Sequence, residues 1–260
     1  MNRTLWIAAS GMDAQQLRTD TIANNIANVD TTSYKKGVCA FQDMLYQRIA
    51  TPGSATAAAS DIPAGIQLGT GVTTGSVSKY FGQGDLTDAS SPLSMAINGS
   101  GFFQVLMPDG TTSYSRAGNL HMNQSGMVTT TQGYQIVGFP TLDTTATSTT
   151  IAEDGTVSQY VNGTNVTKGR IQIARFANPE GLNYMGNNLY GQTEASGSAQ
   201  VGNPTTTGYG AIEQYKLEGS NVDMVQEMVD LISAQRAYEL NSKCVKVADQ
   251  NMQTVANLKN

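Results

Sequence analysis

Apolar positions recur at alternating spacings of three and four at both ends of the chain, and at a spacing of two in the middle. Near the start, Leu5, Ala8, Met12, Gln15, Thr19, Ile22, Ile26 and Val29 form a heptad seam with small and polar members mixed in. It predicts a helix over about residues 3–29, roughly 40 Å long. Near the end, Leu231, Ala234, Tyr238, Asn241, Val245, Ala248, Met252 and Val255 repeat the pattern. A second stripe, Val222, Val225, Val229 and Ile232, runs beside the start of that seam. Ser220 with Asp223 three residues on reads as a capping-box-like start, so this helix is expected from about 221 to 257. Two stripes on one helix need two sets of neighbours. Such helices pack on another domain or pair with other copies of the chain.

Between the helices, Leu93, Met95 and Ile97 alternate, and "GFFQVLM" (101–107), "TSYSR" (112–116), "YQIVGF" (134–139) and "RIQIARF" (170–176) read as strands. Turn signals separate them: Pro108-Asp109-Gly110, Gln124-Ser125-Gly126, Thr131-Gln132-Gly133, Glu153-Asp154-Gly155 and Val161-Asn162-Gly163. The fold class expected is α+β. Long N- and C-terminal helices form a coiled-coil-like inner domain, and an all-β domain is inserted between them. The boundaries drawn are 1–36 with 217–260 for the helical domain, 37–84 for an extended or β connection, and 85–216 for the β-rich outer domain. Low-complexity "TPGSATAAASDIP" (51–63) reads as an exposed, extended segment.

Composition narrows the function. Charged residues are 13% of the chain, about half the usual ~25%, with Gly, Thr, Ser and Asn in their place. A net charge of −5 and no Lys/Arg cluster argue against nucleic-acid binding. No apolar run approaches the ~20 residues of a membrane span. Leu5 to Ala9 is too short for the core of a secretory signal, so export without a cleaved signal peptide is one expectation and a cytosolic location the other. Cys39 and Cys244 match no metal or redox spacing and read as free thiols.

Enzyme chemistry finds little to work with. His121 is the single histidine and has no partner at ligand or catalytic spacing. The pairs "GTG" (69–71), "GQG" (82–84) and "GSG" (99–101) complete neither a dinucleotide fingerprint nor a P-loop. No catalytic, cofactor-binding or metal residue is assigned, no cofactor is expected, and the chain is read as not an enzyme. A secreted β-rich adhesin is the competing class; it accounts for the composition but does not require heptads at both ends.

One motif is specific. "GMDAQQLRTDTIANNIANVDTTSYKKG" (11–37) resembles the N-terminal signature of the bacterial flagellar rod and hook family of axial proteins, with Asn24, Asn25, Ala27, Asn28, Tyr34 and Lys35 on the family pattern. Ser33 stands where that pattern has glycine, so a less sharply bent turn is expected there. "LEGSNVDMVQEMVDLISAQRAYELNSKCVKVADQNMQ" (217–253) resembles the family's C-terminal helix, and "AINGSGFFQV", "PDGTTSYSRAGNL" and "GYQIVG" resemble its middle. Within the family, "FQDMLYQRIATPGS…IPAGIQLGTGV" (41–72) is most similar to the distal-rod branch; proximal rod and hook proteins are the alternatives.

The resemblance implies a structural subunit that self-assembles into a straight, rigid helical tube, a drive shaft and export channel in the basal body, from periplasm to outer membrane. The implied partners are further copies of the chain, proximal rod proteins, hook protein, peptidoglycan- and outer-membrane-ring proteins, the rod cap during assembly and the flagellar export apparatus. It implies a polymer interface at Leu5, Met12, Ile22, Asn24, Asn25, Ile26, Asn28, Val222, Val225, Val229, Ile232, Tyr238, Val245 and Met252. The three asparagines would then fix register between subunits; otherwise Asn28 caps a helix end and the others are solvated. Residues 46–63, with Tyr46, Ile49, Pro52 and Pro63, are implied to brace neighbouring subunits and stiffen the tube; composition alone leaves a flexible linker equally open.

Overall fold

The computed structural model describes residues 3–50, 55–56, 60–61, 65–161 and 163–258. Helix α1 spans Arg3–Ala27 and helix α2 spans Met224–Leu258, with short antiparallel β-sheets between them. The architecture is α+β, as the two periodicities predict. Two compact units share the chain. One comprises Met1–Ala27, Gly37–Ser78 and Asp223–Asn260; the other comprises Asn28–Lys36 and Lys79–Val222.

In the first unit the helices run antiparallel. Arg18 Nη2 meets Asp230 Oδ1 at 3.1 Å, and Asn25 Nδ2 donates to Glu227 Oε2 at 3.1 Å. At Gly11 an added Cβ would lie 2.8 Å from the side-chain nitrogen of Asn241, so the residue's lack of a side chain permits close approach. Among the described residues, the helices bury Ala8, Ala14, Ile22 and Asn25 of α1 and Glu227, Ala234 and Ala248 of α2, mostly small side chains.

α2 starts three residues later than expected. Asp223 caps it, its Oδ1 accepting from the N–H groups of Val225 (2.9 Å) and Gln226 (3.2 Å), while the Ser220 hydroxyl accepts from Val222 N–H outside the helix. A carboxylate is the better partner for the positive end of the helix dipole. The unit also holds strand Gly37–Asp43 and a ribbon of Gln47–Ala50 with Ile66–Leu68. Pro52 and Pro63 lie outside the described residues.

The second unit carries the hydrophobic core. Its largest sheet has seven antiparallel strands in the order His121–Met122, Val128–Thr129, Gln135–Ile136, Phe103–Leu106, Thr112–Ser115, Leu189–Gly191, Asn183–Gly186. Met95, Ile97, Phe103, Val105, Ile136, Ile173 and Ile212 pack in one cluster, and Phe102, Tyr114, Phe176 and Tyr190 in a second of edge-to-face rings. Glycines 110, 126, 133, 155 and 163 take positive φ at the turns the sequence marks. The stretch 170–176 is not one strand: Thr164–Arg170 ends a three-stranded sheet, and Ile173–Arg175 pairs elsewhere with Gln200–Gly202.

Candidate functional site

Two features stand out: a buried polar clasp in the second unit, and an exposed apolar face on α2 in the first.

The clasp is built where the chain leaves α1 and where it returns to α2. Residues 33–36 lie beside 218–221. Ser33 N–H donates to the Glu218 carbonyl at 2.7 Å, Asn221 N–H to the Tyr34 carbonyl at 3.3 Å, and Lys36 N–H to Asn221 Oδ1 at 2.8 Å. The Asn221 amide nitrogen donates to the carbonyls of Tyr80 and Gly82 at 2.8 and 3.0 Å. At the centre is the Glu218 carboxylate, 1% exposed. Its Oε1 accepts from Lys35 Nζ at 2.6 Å and Gly84 N–H at 3.1 Å, and its Oε2 accepts from Arg116 Nε at 2.9 Å. Lys35 Nζ also donates to the Gly82 carbonyl at 2.8 Å, and Arg116 Nη2 to the carbonyls of Ile97 (3.2 Å) and Gly99 (2.8 Å). A Cβ at Gly84 would lie 2.3 Å from the Gly219 carbonyl oxygen, so only glycine lets these segments meet.

The electrostatics follow from this enclosure. Burial alone would raise the Glu218 carboxyl, but Arg116 and Lys35 outweigh it and hold the group below the ordinary glutamate value. Burial, with Arg116 adding repulsion, lowers the Lys35 ammonium despite Glu218. Every charge in the clasp has a partner, the condition on which buried ions are tolerated.

Ser33 corrects an expectation. Its φ is +57°, so the chain makes the left-handed turn that glycine would make, without relaxing it. The fully buried hydroxyl donates to the Arg116 carbonyl at 3.0 Å, offsetting the strain of a side chain in this conformation.

The exposed face lies on the first half of α2. Val225 is 73% exposed, Val229 56% and Ile232 51%, with Met224 and Met228 beside them at helical spacing. Soluble chains seldom leave such a contiguous stripe to water. Further along the pair, a separate groove of mixed character is lined by Thr4, Leu240, Lys243, Cys244, Val247, Ala248 and Asn251.

The residues singled out in the sequence divide between these settings. Tyr238 and Met252 are exposed with the α2 stripe, and Asn24 is exposed on α1. Leu5, Met12, Ile26, Asn28 and Val245 are half-buried, while Ile22 and Val222 are buried. Asn25 is buried and held inside the chain: its Oδ1 accepts from Gly37 N–H at 2.8 Å, and its Nδ2 donates to the Gly37 carbonyl at 3.0 Å. Asn28 Oδ1 accepts from the Thr31 hydroxyl. Tyr46, just before the first strand of the ribbon, and Ile49, on it, are exposed together with Leu45, Ile66 and Leu68. Cys39 donates to Thr21 Oγ1 at 3.0 Å, whereas Cys244 lies by Thr4. Those two α1 levels are about 25 Å apart, far beyond disulfide reach. His121 is exposed on an edge strand. Among the described residues no cluster of His, Cys, Asp and Glu is arranged to hold a metal, and no helix is long and apolar enough to cross a membrane. Sequence reasoning missed Glu218, whose partner Lys35 is 183 residues away; a buried glutamate in a strand leaves no periodic signal.

Three family models match the chain. Residues 5–35 match the flagella basal body rod protein model, residues 96–159 the flagellar hook protein FlgE/F/G D1 domain, and residues 213–258 the flagellar basal body rod FlgEFG protein C-terminal model. The chain is 45% identical to the flagellar basal-body rod protein FlgG of Agrobacterium fabrum, over 99% of this chain and all of that one. It is 44% identical to that of Caulobacter vibrioides over 99% of both chains, and 37% identical to that of Bacillus subtilis over the whole of both.

Proposed function

The chain belongs to the flagellar basal-body rod protein family, and from that premise we propose that it is a structural subunit of the distal rod, polymerising into a helical tube. The observation that carries the reading is the exposed stripe Val225, Met228, Val229 and Ile232 on α2. At about 25 cal/mol per Å² of apolar surface, burying such a stripe between copies stabilises each contact, and the gain repeats at every subunit. The helix pair forms a coiled-coil-like inner layer in this reading. Its interface draws on the exposed Asn24, Val225, Val229, Ile232, Tyr238 and Met252. Leu5, Met12, Ile26, Asn28 and Val245 contribute their half-buried surfaces, and Ile22 and Asn25 set the shape from beneath.

The finer role follows from the same proposal. The tube serves as drive shaft and export channel, joining proximal rod proteins below to the hook protein above. It passes within the peptidoglycan- and outer-membrane-ring proteins, from periplasm to outer membrane. Subunits arrive through the export apparatus and add beneath the rod cap, with no catalytic step. The ribbon carrying Leu45, Tyr46, Ile49, Ile66 and Leu68 supports the bracing role of residues 46–63, because its apolar side chains are exposed on a two-stranded sheet too small to bury them.

Electron microscopy of the purified chain at rising concentration tests the reading. Helical tubes are expected; a chain that stays monomeric at all concentrations, with both helices formed, would overturn it. Deleting 46–63 is expected to leave polymers that bend. Straight polymers of unchanged stiffness would remove the bracing role alone.

A further inference from the structure

The second unit takes in one segment from far upstream of the rest, residues 28–36, separated from it in sequence by 37–78. Within that segment Lys35 is fully buried, and in the body of the unit a second cation, Arg116, is buried at 4% exposure. Both find their carboxylate in one residue, Glu218, at the end of the strand Lys216–Glu218 that pairs with Leu86–Asp88. Until that strand is in place, closing the segment over the unit would bury an ammonium and a guanidinium with carbonyl partners but no counter-charge. Burying an ion in this way is strongly disfavoured.

We infer that residues 28–36 are a strap latched by Glu218. The β-rich unit reaches its closed form only when a carboxylate near the end of the chain neutralises two cations supplied much earlier. Glu218 acts here as a positioning residue. Its side chain draws Lys35 and Arg116 together, and its carbonyl accepts from Ser33 N–H, so latching also fixes the strap's main chain. The remaining main-chain bonds, Asn221 N–H to the Tyr34 carbonyl and Tyr80 N–H to the Lys36 carbonyl at 2.9 Å, can then form in register.

The latch has a consequence for when the chain can act. The strap follows α1 directly, and residues 219–222 lead directly into α2. Latching therefore holds the segment that follows α1 in sequence beside the segment that precedes α2, within the β-rich unit. Resting on the subunit reading above, this ties assembly competence to completion of the chain, since an incomplete chain has an open strap. No ligand or partner is needed for the switch.

Hydrogen exchange on the full-length monomer tests the latch without requiring polymers, so its failure is separable from failure of the subunit reading. In Glu218→Gln, the amides of residues 33–36 and Gly84 are expected to exchange about a hundredfold faster, while Phe103–Leu106 stays protected. The double variant K35M/E218Q removes the stranded ammonium and keeps an amide acceptor for Arg116. It is expected to recover most of the strap's protection. Wild-type protection of 33–36 in Glu218→Gln would overturn the latch. So would a double variant as open as the single one, or one in which the whole unit loses protection.

Discussion

The side-chain amide of Asn25 exchanges two hydrogen bonds with the main chain of Gly37, as one strand residue does with another. Between the two residues the chain leaves the first unit, forms the strap of the second and comes back. Asn25 closes that excursion at its base. Its Nδ2 also donates to Glu227 Oε2 on α2, so one buried amide joins both helices and the returning strand. Asparagine suits this position because its side chain offers a donor and an acceptor with the spacing of a peptide group.

Asn25→Ala is expected to destabilise the first unit by about 2–4 kcal/mol, because Gly37 loses a donor and an acceptor in a buried setting. Exchange of the Gly37 amide, followed by NMR, checks it. Asn25→Asp sets a second carboxylate beside Glu227 and removes the amide that donates to it, so it is expected to be less stable than the wild type at pH 7.

Ser33 separates strain from hydrogen bonding. Ser33→Gly relieves the positive φ and loses the bond to Arg116, and the two effects of about 1 kcal/mol each nearly cancel. Ser33→Ala keeps the strain and loses the bond, so it is expected to cost about 1 kcal/mol. Urea unfolding of the two variants, monitored on the β-rich unit, gives the comparison.

Much of this architecture is written locally. The heptads of both termini place α1 and α2, and five Gly-containing turns fall where Asp-Gly, Ser-Gly, Gln-Gly and Asn-Gly pairs announce them. The second stripe on α2 was legible as a face needing another neighbour, and Val225, Val229 and Ile232 are exposed. What is not legible depends on distance in the chain. Lys35 and Glu218 meet across 183 residues, and no local pattern pairs them. The motif "IANNIANVDTTSYKK" shows its asparagines but not that Asn25 answers Gly37, since that bond requires the chain to leave and return. The helix start was misplaced because Ser220 and Asp223 are both competent caps, and the fold holds 220–222 in the clasp. The break after Arg170 was hidden because the apolar alternation of 170–176 carries on through the change of sheet.

The clasp predicts an acid dependence. The Glu218 carboxyl is lowered from an ordinary value of 4.5. Its contribution is fully present above that value and is lost as pH falls through the depressed one, where folding must give up the ionised form. Urea midpoints of the β-rich unit should therefore drop steeply below about pH 4.5. Glu218→Gln should flatten that slope, since no carboxylate is then left to titrate there.

The helix pair is expected to be weakly held in an isolated chain. Its buried residues are mainly alanines, each worth about one methyl of transfer energy, against roughly 1–2 kcal/mol of backbone ordering per residue. Amides near Arg3 and Leu258 should exchange far faster than those of Met95–Asn98. Uniform strong protection along both helices would contradict this.

Aspartate on the exposed face separates folding from assembly. Val225→Asp and Val229→Asp are expected to change monomer stability by no more than about 0.5 kcal/mol, since both sites face water. Their polymers would bury an unpaired charge at each contact, so sedimentation should show monomer only. Ile22→Asp, at a buried site, should instead disrupt the pair itself, seen as lost helical circular dichroism.

The most direct measurement is the structure of the assembled polymer by helical reconstruction from electron micrographs. Val225, Met228, Val229 and Ile232 are expected to be buried against neighbouring copies, with the Asn25–Gly37 bonds intact within each subunit. A polymer in which that stripe faces solvent, or in which Asn25 releases Gly37 to bond a neighbour instead, would contradict this expectation.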